Sequence, residues 1–214
     1  MKKIILSAII CFMAFVCFAQ SDKYTKAMKA NIAAIDSSFR NHTNLLTLAN
    51  AFERIAMAEK NQWLPYYYAA FLQVNYGFID ADKSKTDMVA DKAEALINKA
   101  DSLSPGNSEI STIKSMIASC RLMVDPMTRY MEYGPESSSN LEKAMTQDPS
   151  NPRPYLLKGQ GLKYTPEQFG GGCKTATEQL ETAIAKFATF KPASELHPVW
   201  GEAIAQRMLE ECKK

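Results

Sequence analysis

Two stretches of the sequence share the same residue pattern, "KADSLSPGNSE" (Lys99–Glu109) and "KAMTQDPSNPR" (Lys143–Arg153). Lysine, alanine, proline and asparagine recur at the same offsets in both. Proline cannot continue a helix, and asparagine is a good cap for the helix that follows. Each stretch therefore predicts the end of one helix, a short break and the start of a second helix packed back on the first.

The helix before each break carries a recurring pattern of small and apolar residues. Offsets of three and four place these side chains on one helical face, where small residues let a neighbouring helix come close. The pattern occurs four times, as Ala51/Ile55/Ala58, Ala93/Ile97/Ala100, Ser137/Leu141/Ala144 and Ala176/Leu180/Ala183. No segment alternates with period two, so we expect no sheet.

The spacing of the prolines sets the expected order of helices. Breaks are predicted near Pro65, Pro105, Pro149 and Pro192. Longer connections inside the helix pairs are predicted around Asp80–Asp87, Asp125–Ser137 and Thr165–Gly172. The prediction is an all-α fold of antiparallel helices, with Ala100 and Ala144 buried where helices cross.

Two segments resemble the first helix of the tetratricopeptide repeat (TPR) family. "PYLLKGQGLKY" carries Tyr155, Gly159 and Leu162 at the family's spacing, and "AAFLQVNYGF" matches more loosely. The resemblance implies a right-handed superhelical stack of antiparallel helix pairs, a TPR-like α-solenoid, although the prolines recur at a longer period than the family's ~34 residues. We expect one domain over residues 20–214, with units at about 21–62, 63–105, 106–149 and 150–192 and a cap at 198–212.

The first 19 residues have the pattern of a signal peptide. "MKK" is followed by an apolar run and by small residues at Cys17 and Ala19, which predicts cleavage before Gln20 and export to the periplasm or beyond. Loss of Lys2 and Lys3 leaves the mature chain neutral, so there is no basic excess to suggest a nucleic-acid partner.

The resemblance implies that a peptide or protein segment binds in the groove formed by the first helices. The groove residues carried over from the family are Leu72, Tyr76, Ile79, Arg153, Leu156, Gln160 and Lys163. Arg153 and Lys163 would favour an acidic segment or a terminal carboxylate. The leading hypothesis is therefore an exported, non-enzymatic scaffold with no cofactor.

The alternative function is a small-ligand or calcium-binding module of the cell envelope. The stretch Asp80–Asp91 nearly has the ligand spacing of an EF-hand loop, but Lys85 stands where the turn requires glycine. The glycine-rich stretch Phe169–Thr177 lacks the positions of a phosphate-binding loop and predicts a turn. His42 and His197 have no metal-ligand spacing, so both are predicted at the surface. An enzyme is less favoured, since no acid–base or nucleophile motif occurs.

Three cysteines follow the leader, Cys120, Cys173 and Cys212. The helix that starts near Cys173 and the helix that ends near Cys212 flank Pro192 at similar distances along the chain. If the two helices pack antiparallel, both cysteines lie at the same end of the pair. We therefore predict a Cys173–Cys212 disulfide, with Cys120 free and buried as a small apolar side chain.

Overall fold

The structure, a computed structural model, describes residues 22–40 and 43–214. The expected leader, its cleavage site before Gln20 and His42 lie outside these residues. Within them the chain forms α-helices and two short 3-10 helices but no strand, which confirms the all-α prediction. None of the helices in this part of the chain has the length and apolar character needed to span a membrane.

The α-helices are α1 (22–33), α2 (Ile35–Arg40), α3 (Thr43–Ala58), α4 (Trp63–Ile79), α5 (Thr86–Leu103), α6 (Ser108–Leu122), α7 (Pro126–Gln147), α8 (Arg153–Tyr164), α9 (Cys173–Phe187) and α10 (Glu202–Cys212). The 3-10 helices span Lys83–Lys85 and Glu167–Phe169. Each helix packs mainly on its neighbours in the sequence, most closely α6 on α7 and α4 on α5. These contacts show packed adjacent helices, whereas the right-handed solenoid and its unit boundaries stay predictions.

The predicted asparagine caps form at both repeated breaks. The side chain of Asn107 accepts a hydrogen bond from the backbone N–H of Glu109 (2.9 Å), and that of Asn151 accepts one from the N–H of Arg153 (3.0 Å). The break near Pro65 falls slightly earlier, at residues 59–62, because proline fits within the first turn of α4.

The recurring small and apolar pattern is buried in α5 and α9, and Leu141 and Ala144 are buried in α7. Ala100 and Ala144 are fully buried, as predicted. The register predicted for α3 is wrong, since Ala58 is exposed and the buried residues there are Leu45, Leu48, Ala49, Phe52 and Ala56. Alanine is frequent along α3, so the spacing of the alanines alone did not show which side of the helix faces the core.

The connection predicted around Asp125–Ser137 is also wrong, because α7 already begins at Pro126. The side chain of Asp125 caps the helix by accepting from the N–H of Thr128 (3.3 Å), and Pro126 occupies the first turn, where no N–H is needed. Pro135 lies inside α7, on an exposed stretch where the carbonyl that it leaves unpaired can face solvent. The helix therefore extends about three turns further than the sequence suggested.

The disulfide between Cys173 and Cys212 is present, with Cα atoms 5.0 Å apart. It joins the start of α9 to the end of α10, so these helices run antiparallel with both cysteines at one end. Cys120 is free and buried. The cysteine prediction is confirmed in all three positions.

Candidate ligand-binding site

Residues 188–201, here called the strap, connect α9 to α10 and lie against α4. The hydroxyl of Tyr68 donates to the carbonyl of Leu196 (2.8 Å), and the Trp200 ring stacks on Phe71 with centroids 5.0 Å apart. Trp200 also packs against the apolar clusters of both halves of the molecule. The strap therefore covers part of the first-helix surface from which a groove was expected.

A buried polar cluster fastens the strap to α6 and α8. Arg153 is only 1% exposed; it donates to Glu109 (2.8 Å) and to the carbonyl of Pro198 in the strap. Glu109 also accepts from Asn151 (2.9 Å) and from the hydroxyl of Tyr67 (3.2 Å). Burial raises the pKa of Glu109, and the charge of Arg153 opposes that rise. The cluster positions the strap, and its side chains are bonded to one another.

The predicted groove residues do not form one open surface. Leu72, Leu156 and Arg153 are buried, and Tyr76, Ile79, Gln160 and Lys163 are half-buried. Both cations already have carboxylate partners, since Arg153 pairs with Glu109 and Lys163 pairs with Glu211 on α10. The groove assignment stays a prediction, now restricted to the four residues that retain exposed surface.

The acidic loop Asp80–Asp91 does not gather its carboxylates around one point. Asp87 makes a bidentate salt bridge with Arg129 (2.6 and 2.8 Å), and this pair lowers the pKa of Asp87. Asp91 pairs with a different arginine, Arg121 (2.7 Å). Across residues 22–40 and 43–214, no group of three or more His, Cys, Asp or Glu side chains is placed to hold a metal ion.

The glycine-rich stretch Phe169–Thr177 forms a tight turn before α9. Gly170 and Gly172 have φ of 83° and 90°, a region that glycine adopts readily. A Cβ at Gly171 would lie 2.1 Å from the carbonyl oxygen of Thr165, so only glycine fits there. The glycines serve this turn, as the sequence predicted.

His197 lies in the strap and is half-buried. Its Nδ1 shares a hydrogen bond with the hydroxyl of Ser194 (2.7 Å), and its ring meets Trp63 edge-on. Burial lowers the pKa of His197, which favours the neutral imidazole. Its surroundings are those of a packed structural side chain.

The most exposed apolar surface of the described chain lies at the start of α7. Met123, Met127, Tyr130 and Met131, here called the Met/Tyr face, are 55%, 91%, 56% and 83% exposed. Met127, Tyr130 and Met131 are spaced by three and one along α7, which places them on one side of the helix, and Met123 lies in the turn just before α7. The Tyr130 ring lies close to Gly134, where an added Cβ would be 3.2 Å from the ring. Exposed apolar patches of this kind mark interaction sites in soluble proteins.

Polar contacts beside the Met/Tyr face anchor α7 to the body of the protein. The hydroxyl of Ser137 hydrogen-bonds those of Ser115 and Ser119 on α6 (2.8 Å each), and Arg129 pairs with Asp87 on α5. These polar contacts fix how α7 is rotated. The side chains of the Met/Tyr face remain exposed next to these anchors.

Sequence reasoning missed the Met/Tyr face because the long spacing of the prolines predicted a connection over residues 125–137. A signal was available in the spacing of Met127, Tyr130 and Met131, which is that of one helical side. The pair Asp125–Pro126 is also a good helix start. Together they would have predicted a helix with a methionine-rich side.

No family model matches this chain, and no curated protein is significantly similar to it. Among solved structures, the chain is similar to the HusA haemophore from Porphyromonas gingivalis, with 39% sequence identity and a TM-score of 0.80. The alignment covers 89% of this chain and 92% of HusA. The chain therefore belongs to the same family as the HusA haemophore. The TPR resemblance has no support from a family model.

Proposed function

We propose that this protein is an exported, non-enzymatic haem- or porphyrin-binding protein, and that the Met/Tyr face is where the macrocycle binds. The observation that carries the proposal is the similarity to a haemophore at 39% identity over 89% of the chain. The disulfide supports export, because such bonds persist in oxidising compartments. A small ligand thus replaces the peptide of the leading sequence hypothesis, which the comparison does not support.

The chemistry of the Met/Tyr face suits a porphyrin. The macrocycle is broad, flat and apolar, and methionine side chains adapt their shape to such surfaces. Tyr130 adds an aromatic ring that can stack on the macrocycle. Thioether sulfur and tyrosine oxygen are both known haem-iron ligands, so the same side chains could also contact the metal.

A second surface feature is less suited to this ligand. A cleft of about 200 Å³ between α5, α6 and α7 is lined by Glu94, Asn98, Lys114, Ile117, Glu136 and Asn140. Five of these six side chains are polar or charged, and binding an apolar ring there would strip them of water without replacing their hydrogen bonds. Binding the ring at the exposed methionines removes no water from charged or polar side chains of this kind.

The proposal is tested by titrating the mature protein with haemin and with metal-free protoporphyrin IX, followed by absorbance and intrinsic fluorescence. Burying a methionine side chain is worth about 1.5–3 kcal/mol, or at least about tenfold in affinity. The double variant Met127→Glu/Met131→Glu should therefore bind about a hundredfold more weakly than the wild type.

The matched control is Met57→Glu on α3, where the methionine is 70% exposed but lies outside the Met/Tyr face. It should bind porphyrin like the wild type. A wild-type protein that binds neither ligand would contradict the proposed function. Equal affinities of the double variant and the wild type would contradict the site alone.

A further inference from the structure

Three of the four side chains of the Met/Tyr face are thioethers. Met123, Met127 and Met131 are between 55% and 91% exposed, whereas Met28 and Met208 in the core are 0% and 6% exposed. Leucine would supply a similar apolar surface, so packing does not require sulfur at these positions. An exposed methionine differs from leucine because its thioether sulfur can be oxidised to the sulfoxide.

We propose that Met123, Met127 and Met131 form an oxidation site that switches porphyrin binding off; the inference rests on the proposed function. The oxidant is a peroxide. The thioether sulfur attacks one peroxide oxygen, the O–O bond breaks and an S–O bond forms. Sulfur loses two electrons, and hydrogen peroxide is reduced to water. Methionine sulfoxide reductases reverse this change, so the site can be restored.

Oxidation replaces an apolar side chain with a polar one that holds water, and this weakens an apolar interface. The Met/Tyr face makes few contacts with the rest of the protein, as its exposure shows, so the fold should tolerate the added oxygens. The polar anchors of α7, such as the Arg129–Asp87 pair, contain no sulfur and are unchanged. The switch therefore acts on the ligand and leaves the structure intact.

The structure supplies an internal control for accessibility. Met57 on α3 and Met88 on α5 are 70% and 65% exposed, so peroxide should oxidise them as well. Neither belongs to the Met/Tyr face. Their oxidation should have no effect on porphyrin binding, which separates the proposed site from general damage to surface methionines.

The experiment treats the mature protein with hydrogen peroxide, removes the peroxide with catalase, and maps sulfoxides by peptide mass spectrometry. Affinity for metal-free protoporphyrin IX is then measured beside far-ultraviolet circular dichroism. We expect sulfoxides at Met123, Met127 and Met131, unchanged helicity and affinity weakened by about tenfold or more. A sulfoxide reductase should restore the affinity.

A triple variant with leucine at Met123, Met127 and Met131 should have the same porphyrin affinity after peroxide treatment as before it, whatever its starting affinity relative to the wild type. The control Met57→Leu/Met88→Leu should lose affinity on treatment as the wild type does. Loss of binding by the treated triple variant, or full binding by the oxidised wild type, would overturn the switch alone. No binding by untreated wild type would overturn the proposed function and the inference with it.

Discussion

The surface of α4 and the start of α7 differ in how their apolar side chains are covered. On α4 the chain covers its own surface, because the strap places Leu196 and Trp200 against this helix. At the start of α7, nothing in the described chain covers Met127 and Met131, which are 91% and 83% exposed. A surface that the chain fills contributes to stability, whereas one that it leaves exposed is available to a ligand.

The two regions also use polar residues differently. Around the strap, Arg153 and Glu109 are buried and bonded to several partners, so any change there disturbs the fold. Around α7, Arg129 and Ser137 lie beside the Met/Tyr face and hold the helix on α5 and α6. Variants should therefore separate into those that change stability and those that change binding.

The largest expected effect is that of Arg153→Met. Removing the guanidinium leaves Glu109 buried without its cation and frees the strap carbonyl of Pro198, which should lower the free energy of unfolding by about 3–5 kcal/mol. The matched control is Lys29→Met, which breaks an exposed pair with Glu195 in the same strap and should cost less than about 1 kcal/mol. Denaturant unfolding measures both, and equal losses would contradict the role given to the buried pair.

A smaller effect is expected from two glycines of α8. A Cβ at Gly159 would lie 2.9 Å from the Leu180 side chain, so Gly159→Ala should destabilise the protein by about 1–3 kcal/mol through overpacking. No atom lies within 4 Å of a Cβ at Gly161, so Gly161→Ala should stabilise the helix by about 0.5–1 kcal/mol. Thermal unfolding compares the two, and the opposite order would show that the α8–α9 register is wrong.

The smallest effect on stability is expected at the Met/Tyr face itself. Met127→Ala should change the free energy of unfolding by less than about 0.5 kcal/mol, because the side chain makes few contacts to lose. Leu156→Ala on α8, where the side chain is fully buried, should cost about 2–5 kcal/mol in the same assay. Similar losses for both variants would mean that Met127 is covered in solution.

Much of the fold could be predicted because its signals are local. The caps Asn107 and Asn151 and the breaks at Pro105 and Pro149 depend on a few adjacent residues. The disulfide followed from chain direction and length, since Cys173 and Cys212 had to meet at one end of an antiparallel pair. These inferences needed no knowledge of distant contacts.

The candidate site could not be predicted in the same way. The carried-over groove positions assume that the first-helix surface stays open, but the strap that meets Arg153 comes from 45 residues further along the chain. Its course depends on packing between distant segments, which local spacing does not encode. The Met/Tyr face was missed because the spacing of Pro105 and Pro149 predicted a connection over residues 125–137, where α7 already forms.

The most direct test of the central claim observes the methionines themselves. The protein is labelled with ¹³C at its methionine methyl groups and titrated with metal-free protoporphyrin IX. Large ring-current shifts are expected for Met123, Met127 and Met131. The methyl signals of Met57 and Met88, which are exposed on other helices, should stay in place.

Assignment uses single Met→Leu variants, each of which removes one signal. Shifts confined to Met123, Met127 and Met131 are the result that the account predicts. Porphyrin binding that leaves these three signals unchanged, while signals of Met57, Met88 or core methionines move, would contradict the assignment of the binding site to the Met/Tyr face.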